Sequence, residues 1–232
     1  MTESPDLERL RQEYQNRRLR YAGSDIYSHF HRPNLFMIQG REQAILNALE
    51  NHAHKQIEID KILEVGCGSG GVLKQFIAWG APERNLFGVD LLSDRLVEAK
   101  SKLSLLSVVN ANGEWLPFPE GYFDLVLQFT AFSSILDGQV KAQVAQEMLR
   151  VLQPDGLILW YDFWLNPTNK QTKGIRPAEI RALFPGCKFE LHKITLAPPI
   201  SRRIVYFSWV FAYILESVRV FNSHYLALIY KE

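Results

Sequence analysis

Residues 62–71, ILEVGCGSGG, set an apolar, strand-like run directly against four glycines within six residues. A tight turn from strand to helix suits such a sequence. Glycine reaches positive φ without penalty, and the following helix offers its N-terminal amides to an anion. Downstream, apolar runs alternate with helical stretches: KILEV, a helix over 72–79, NLFGVD, a helix over 94–105, then SVVNA, FDLVLQF, a helix over 139–151 and GLILWYDF. Strands separated by helices imply a parallel sheet covered on both faces.

The fold expected is therefore α/β, a Rossmann-like doubly wound, mostly parallel sheet. After Phe163 the alternation weakens to a short helix in RPAEIRALF, a strand in CKFELHKITLA, a helical stretch over 204–221 and a period-two strand in HYLALIYKE. This pattern predicts a helical insertion before the last strand and an antiparallel C-terminal edge. Before the sheet, two N-terminal helices are expected. One runs over 5–20, with Ser4 as N-cap and Pro5 at its first position, as an exposed or partly docked arm. The other runs over 34–50, with Leu35, Ile38, Ile45 and Leu49 on one face. At 232 residues the expectation is one domain, with 1–60 as a helical cap, 61–165 as the cofactor-binding core and 166–232 as a C-terminal extension.

Charge and cysteines narrow the function. Lys+Arg of 26 against Asp+Glu of 25 leaves a net charge of +1, so nucleic acid is not the expected partner. Cys67 and Cys187 make no C-x-x-C, and the charged N-terminus lacks the apolar region of an export signal. A cytoplasmic location is expected.

The glycines fit two templates. Gly66, Gly68 and Gly71 spell the G-x-G-x-x-G of dinucleotide binding, while Glu64, Gly66, Gly68 and Gly70 spell E-x-G-x-G-x-G. Glu64 separates the two, because a carboxylate at this strand end repels a pyrophosphate but complements the ammonium and sulfonium of S-adenosylmethionine. Asp90, 19 residues after Gly71, ends the second strand in position to accept from ribose hydroxyls, as both cofactors require.

Two further segments, NANGEWLPFPEGYFDLVLQF and EMLRVLQPDGLILWYDF, resemble in order and spacing the corresponding segments of class I S-adenosylmethionine-dependent methyltransferases of the small-molecule type. The resemblance covers residues 61 to about 163. It implies that Glu64, Gly66, Gly68 and Gly70 line the methionine end, with Cys67 in the same turn as filler, that Asp90 holds the ribose, and that Leu91 lies against the adenine. Asn112 stands where the family usually has aspartate near the adenine amino group, and Gly113 replaces a common alanine. An amide there still accepts a hydrogen bond but adds no charge. Gln128 is implied to face the methionine moiety.

Methyl transfer by in-line displacement to oxygen or nitrogen of a small metabolite, apolar or lipid-linked as the aromatic C-terminal stretch hints, with S-adenosylhomocysteine as product, is the function expected. The chain has LQFTAF where enzymes methylating adenine or glutamine side-chain nitrogens carry an N/D-P-P-aromatic motif. His29, His31 and Asp162 are candidate bases, the histidines because the N-terminal segment often closes over the acceptor in such enzymes. The pairs His29/His31 and His52/His54 lack companions at ligand spacing, so no metal is expected. A binding protein without turnover and a nicotinamide-dependent oxidoreductase are the alternatives. Residues 204–215, twelve apolar-rich positions near Arg202, Arg203 and Arg219, are too short to span a bilayer. They read first as core or lid, with a dimer face or a peripheral membrane contact as alternatives. The chain is expected to be a monomer or a homodimer.

Overall fold

In the computed structural model, which describes residues 5–52, 57–166 and 169–232, five strands run parallel: β1 (Ile62–Val65), β2 (Leu86–Asp90), β3 (Ser107–Asn110), β4 (Phe123–Phe129) and β5 (Leu152–Phe163). Two more, β6 (Cys187–Leu196) and β7 (Asn222–Lys231), complete one sheet in the order β3-β2-β1-β4-β5-β7-β6. β7 is antiparallel to both neighbours, so the antiparallel end expected from the C-terminus is present, with β6 outermost. Ser4 and His54 lie outside the described residues.

Period-two alternation divides each strand between two cores. Leu63, Val65, Val126, Ile158, Trp160 and Ala227 point to one face, and Ile62, Leu125, Leu127, Leu157, Leu159 and Leu226 to the other. The first face is covered by α1 (Pro5–Arg20), α5 (Gly138–Val151) and α6 (Pro177–Leu183), through Leu7, Leu10, Val144 and Ile180. The second is covered by α2 (Arg32–Asn51), α3 (Gly71–Ala78) and α4 (Ser93–Lys102), through Ile45, Phe76 and Leu96. Helices on both faces are what makes the fold doubly wound.

α1 is docked rather than free. Leu7 and Leu10 are buried, and the Asp6 carboxylate accepts from the amides of Leu136 and Asp137 at 2.8 and 3.0 Å. Arg9 donates to the Ser134 carbonyl and Arg18 pairs with Asp94 at 2.6 Å, so the helix bridges the loop after β4 to α4. In α2, Phe36 is buried while Leu35 and Ile38 are only half-buried.

The apolar stretch before β7 is two helices, α7 (Pro198–Phe207) and α8 (Trp209–Ser217), where one was expected. Ser208 is extended, with φ −155° and ψ 118°, and its hydroxyl accepts from the Phe211 amide as the N-cap of α8. Val205 and Ala212 pack with Phe36 and Leu196 in a small third cluster, but most of the remaining apolar side chains of these helices face out.

Candidate active site

The carboxyl edge of the parallel strands opens into a chamber of about 2730 Å³. Its floor is the turn between β1 and α3. Gly66, Gly68 and Gly70 have φ of 79°, 53° and 75°, whereas Gly71 is the first residue of α3 and is not left-handed. The glycines of E-x-G-x-G-x-G are thus the ones the backbone requires. A Cβ on Gly66 would also stand 2.8 Å from that of Ala131. The Gly66 and Cys67 amides donate to the Val89 carbonyl at 2.8 and 3.0 Å, tying the turn to β2. Cys67 points its side chain into the core against Gly88, and burial pushes its thiol well above the usual range, as suits filler.

Glu64 lines the chamber yet is almost wholly buried, and its Oε2 has no hydrogen-bond partner. Burial, and next the nearby Asp90 charge, raise its carboxyl well above the ordinary range, opposed by Arg41 and Arg95. An orphaned, desolvated acceptor of this kind suits a cationic donor. Asp90 is held by the amides of Gly68 at 2.7 Å and Leu92 at 2.9 Å, one to each carboxylate oxygen. Each oxygen retains a lone pair for a hydroxyl. Leu91, Asn112 and Gly113 line the same end. Asn112 turns back on its own loop, its Nδ2 donating to Glu114 at 3.0 Å and its Oδ1 accepting from the Glu114 amide at 3.1 Å. S-adenosylmethionine therefore fits this end: Glu64 matches its ammonium, Asp90 its ribose and the β1–α3 turn its approach to the backbone.

The other end of the chamber is aromatic. Phe129, Tyr161, Phe163, Trp164, Phe221 and His224 contribute to it. His224 stacks on Tyr161 with ring centroids 4.6 Å apart and lies 3.9 Å from Phe163, while its Nδ1 meets the Ser223 hydroxyl at 3.0 Å. Burial, then the Arg41 charge, drives its pKa down to about 3, so this imidazole is neutral. Between the two ends sits Arg41 of α2, its guanidinium 5.5 Å from the rings of both Phe129 and Tyr161. It also donates to Gln75 at 3.1 Å.

Of the candidate bases, His29 lines the chamber at its exposed rim. His31 does not line it; its ring stands edge-on to Tyr206 at 6.2 Å. Asp162 and Gln128 lie behind the wall, fully buried and joined at 2.8 Å. Asp162 also accepts from the amides of Ser133 and Phe163, at 3.0 and 2.8 Å, and burial raises its pKa to about 6. Its acceptors are committed to holding the wall. Sequence reasoning missed Arg41, Arg95 and His224. No motif marks the arginines, but His224 had a signal. Because β7 is antiparallel, its first residues reach the carboxyl edge, and His224 pairs with Phe163 at the end of β5.

The methyltransferase-domain family model matches residues 62–156. Over 167 residues the chain is 28% identical to the ubiquinone/menaquinone biosynthesis C-methyltransferase UbiE of Stutzerimonas stutzeri, covering 69% of this chain and 59% of that protein. An uncharacterized protein of Haemophilus influenzae is 33% identical over 122 residues, which are 48% of this chain and 46% of that one. The chain thus spans about half to three-fifths of the length of these curated relatives. Among solved structures, a Pyrococcus horikoshii protein superposes with a TM-score of 0.60 at 17% identity, covering 91% of this chain and 98% of that one. A TehB-like S-adenosylmethionine-dependent methyltransferase of Corynebacterium glutamicum superposes with a TM-score of 0.57 at 19% identity, covering 97% and 98%. Residues 62–156 thus match a methyltransferase domain, in a fold shared with solved S-adenosylmethionine-dependent methyltransferases.

Proposed function

We propose that the chain methylates a small apolar acceptor, on oxygen or nitrogen, within the aromatic end of the chamber. The observation that carries this is that one cavity is lined at β1 and β2 by Glu64 and Asp90 and, on the far side of β4, at β5 and β7 by Phe163, Trp164 and His224. S-adenosylmethionine supplies a methyl group already made electrophilic by its sulfonium, and leaves as S-adenosylhomocysteine once the new bond forms.

The chain's own contribution is placement and exclusion of water. α1 closes one side of the chamber through Leu10 and Tyr14, and the Phe129, Tyr161 and Phe163 rings line the side given to the acceptor. Asp162 and Gln128 act as positioning residues, locking the strand ends that carry those rings. His29 is the candidate to take a proton from the acceptor, since it alone of the three proposed bases lines the chamber. In this division of labour β1 to the loop after β3 holds the cofactor, and the ends of β4 and β5 shape the acceptor pocket together with α1, α2 and the start of β7.

A ring carbon is the second reading. It is favoured by the relatives bearing the name ubiquinone/menaquinone biosynthesis C-methyltransferase. Incubation with methyl-labelled S-adenosylmethionine and a panel of phenols, hydroquinones and apolar amines, followed by NMR of the product, tests both. Label on oxygen or nitrogen supports the first reading, and label on ring carbon the second. Transfer only to polar metabolites contradicts the apolar-acceptor reading.

A further inference from the structure

The outward side of α7, α8 and the turn into β7 is the most apolar exposed surface of the described residues. Phe207 is 88% exposed, Val210 69%, and Tyr206, Tyr213, Ile214, Val218 and Val220 are each more than half exposed. The loop between α1 and α2 continues this surface. His31 touches Tyr206 edge-on, Arg202 acts on Tyr27, and Phe30 is 96% exposed. Exposed aromatics on this scale leave a large apolar area in water unless something covers it.

The charges on the surface indicate what covers it. Segments 20–32 and 198–221 carry five arginines, at 20, 32, 202, 203 and 219, against two acids, Asp25 and Glu216. Glu216 turns inward to accept from the Leu196 amide at 3.2 Å, so the face of α7 and α8 presents arginine without an opposing exposed carboxylate. Apolar and aromatic side chains ringed by arginine are the composition of a helix that lies in the headgroup region of an anionic bilayer. A second copy of this chain would bring like charges together on that face. The surface is also continuous with the chamber, because Tyr27, Arg202, Val220 and Phe221 line its mouth. Among the described residues no helix is long and apolar enough to cross a membrane.

We propose that α7, α8 and the 21–31 loop dock the protein on an anionic lipid surface. The mouth of the chamber then faces the bilayer, so that an apolar acceptor enters from the lipid without crossing water; this last step rests on the methyl-transfer reading above, whereas the docking does not.

Co-sedimentation with vesicles of phosphatidylcholine alone, and of phosphatidylcholine mixed with phosphatidylglycerol, tests the docking. The protein is expected to bind the anionic vesicles more tightly, with affinity falling as salt rises. Phe207→Asp with Val210→Asp should weaken binding by about tenfold or more. Arg203→Gln with Arg219→Gln should weaken it by about fivefold per arginine and reduce the salt dependence. Titration with S-adenosylhomocysteine on the same samples checks that each variant is folded, and a change in vesicle binding with that titration intact supports the surface. Failure of the wild type to bind either vesicle overturns the proposal. So does unaltered binding by the Phe207/Val210 variant, or sedimentation showing a dimer that the same variant dissociates while vesicle binding is absent.

Discussion

The two ends of the chamber are built in opposite ways. The end proposed for the cofactor comes from one contiguous stretch, β1 to the loop after β3, and its geometry is set mainly by backbone: left-handed glycines, amides donating to Val89, and a carboxylate fixed by the Gly68 and Leu92 amides. The acceptor end is assembled from α2, the ends of β4 and β5, the start of β7 and the segments around α7, and its geometry is set by side-chain packing. A backbone-built site constrains sequence locally, so it leaves a motif. A packed site can be built from many residue combinations, and leaves none.

Substitutions should therefore act differently on the two ends. The largest effect is expected for Gly66→Ala, which forces a left-handed alanine and sets its Cβ 2.8 Å from that of Ala131. Thermal unfolding should show a loss of ~1–3 kcal/mol, with S-adenosylhomocysteine binding abolished. Unaltered stability and binding would mean that the turn is not rigid.

Asp90→Ala comes next. It removes the proposed ribose acceptor and leaves the Gly68 and Leu92 amides without their carboxylate, so S-adenosylhomocysteine should bind more weakly by ~1–3 kcal/mol in calorimetry. An equal loss of acceptor binding would break the separation between the two ends.

Glu64 is expected to show itself as a pH slope. Its carboxyl is raised in the free protein, and an ammonium partner favours the ionised form. Affinity for S-adenosylhomocysteine should thus increase as pH rises through the Glu64 pKa, with proton uptake by the free protein competing on the acid side. Glu64→Gln should flatten that slope, and a slope that survives would assign it to another group.

The smallest effect is expected for Trp164→Ala. It should raise KM for an apolar acceptor severalfold while S-adenosylhomocysteine affinity stays within about twofold, since the packing area and the indole hydrogen bond to the Asn222 carbonyl that are lost both lie away from Glu64 and Asp90. A matching fall in cofactor affinity would show that the two ends are coupled.

Much of the fold was legible because hydrophobic period is local. The alternation from Lys61 to Phe163 predicted β1 to β5 with their helices, and period two in HYLALIYKE marked β7. The glycine turn after β1 and the places of Glu64 in β1 and Asp90 at the end of β2 were legible for the same reason. Docking of α1 was not, because it depends on pairs such as Asp6 with the Leu136 amide, 130 residues apart, that have no periodicity. The break between α7 and α8 did have a signal, a serine within an apolar run with a side-chain oxygen able to cap the next helix, but hydrophobic continuity outweighed it. Gln128 and Asp162 sit at strand ends as expected, yet a strand end can point at the chamber or behind its wall. One residue of register decides which.

Calorimetric titration of the full chain with S-adenosylhomocysteine and, separately, with NAD tests the central claim most directly. The geometry of Glu64 and Asp90 predicts one-to-one binding of S-adenosylhomocysteine, weakened in Asp90→Ala, and no saturable binding of NAD. Saturable NAD binding with no response to S-adenosylhomocysteine would contradict it.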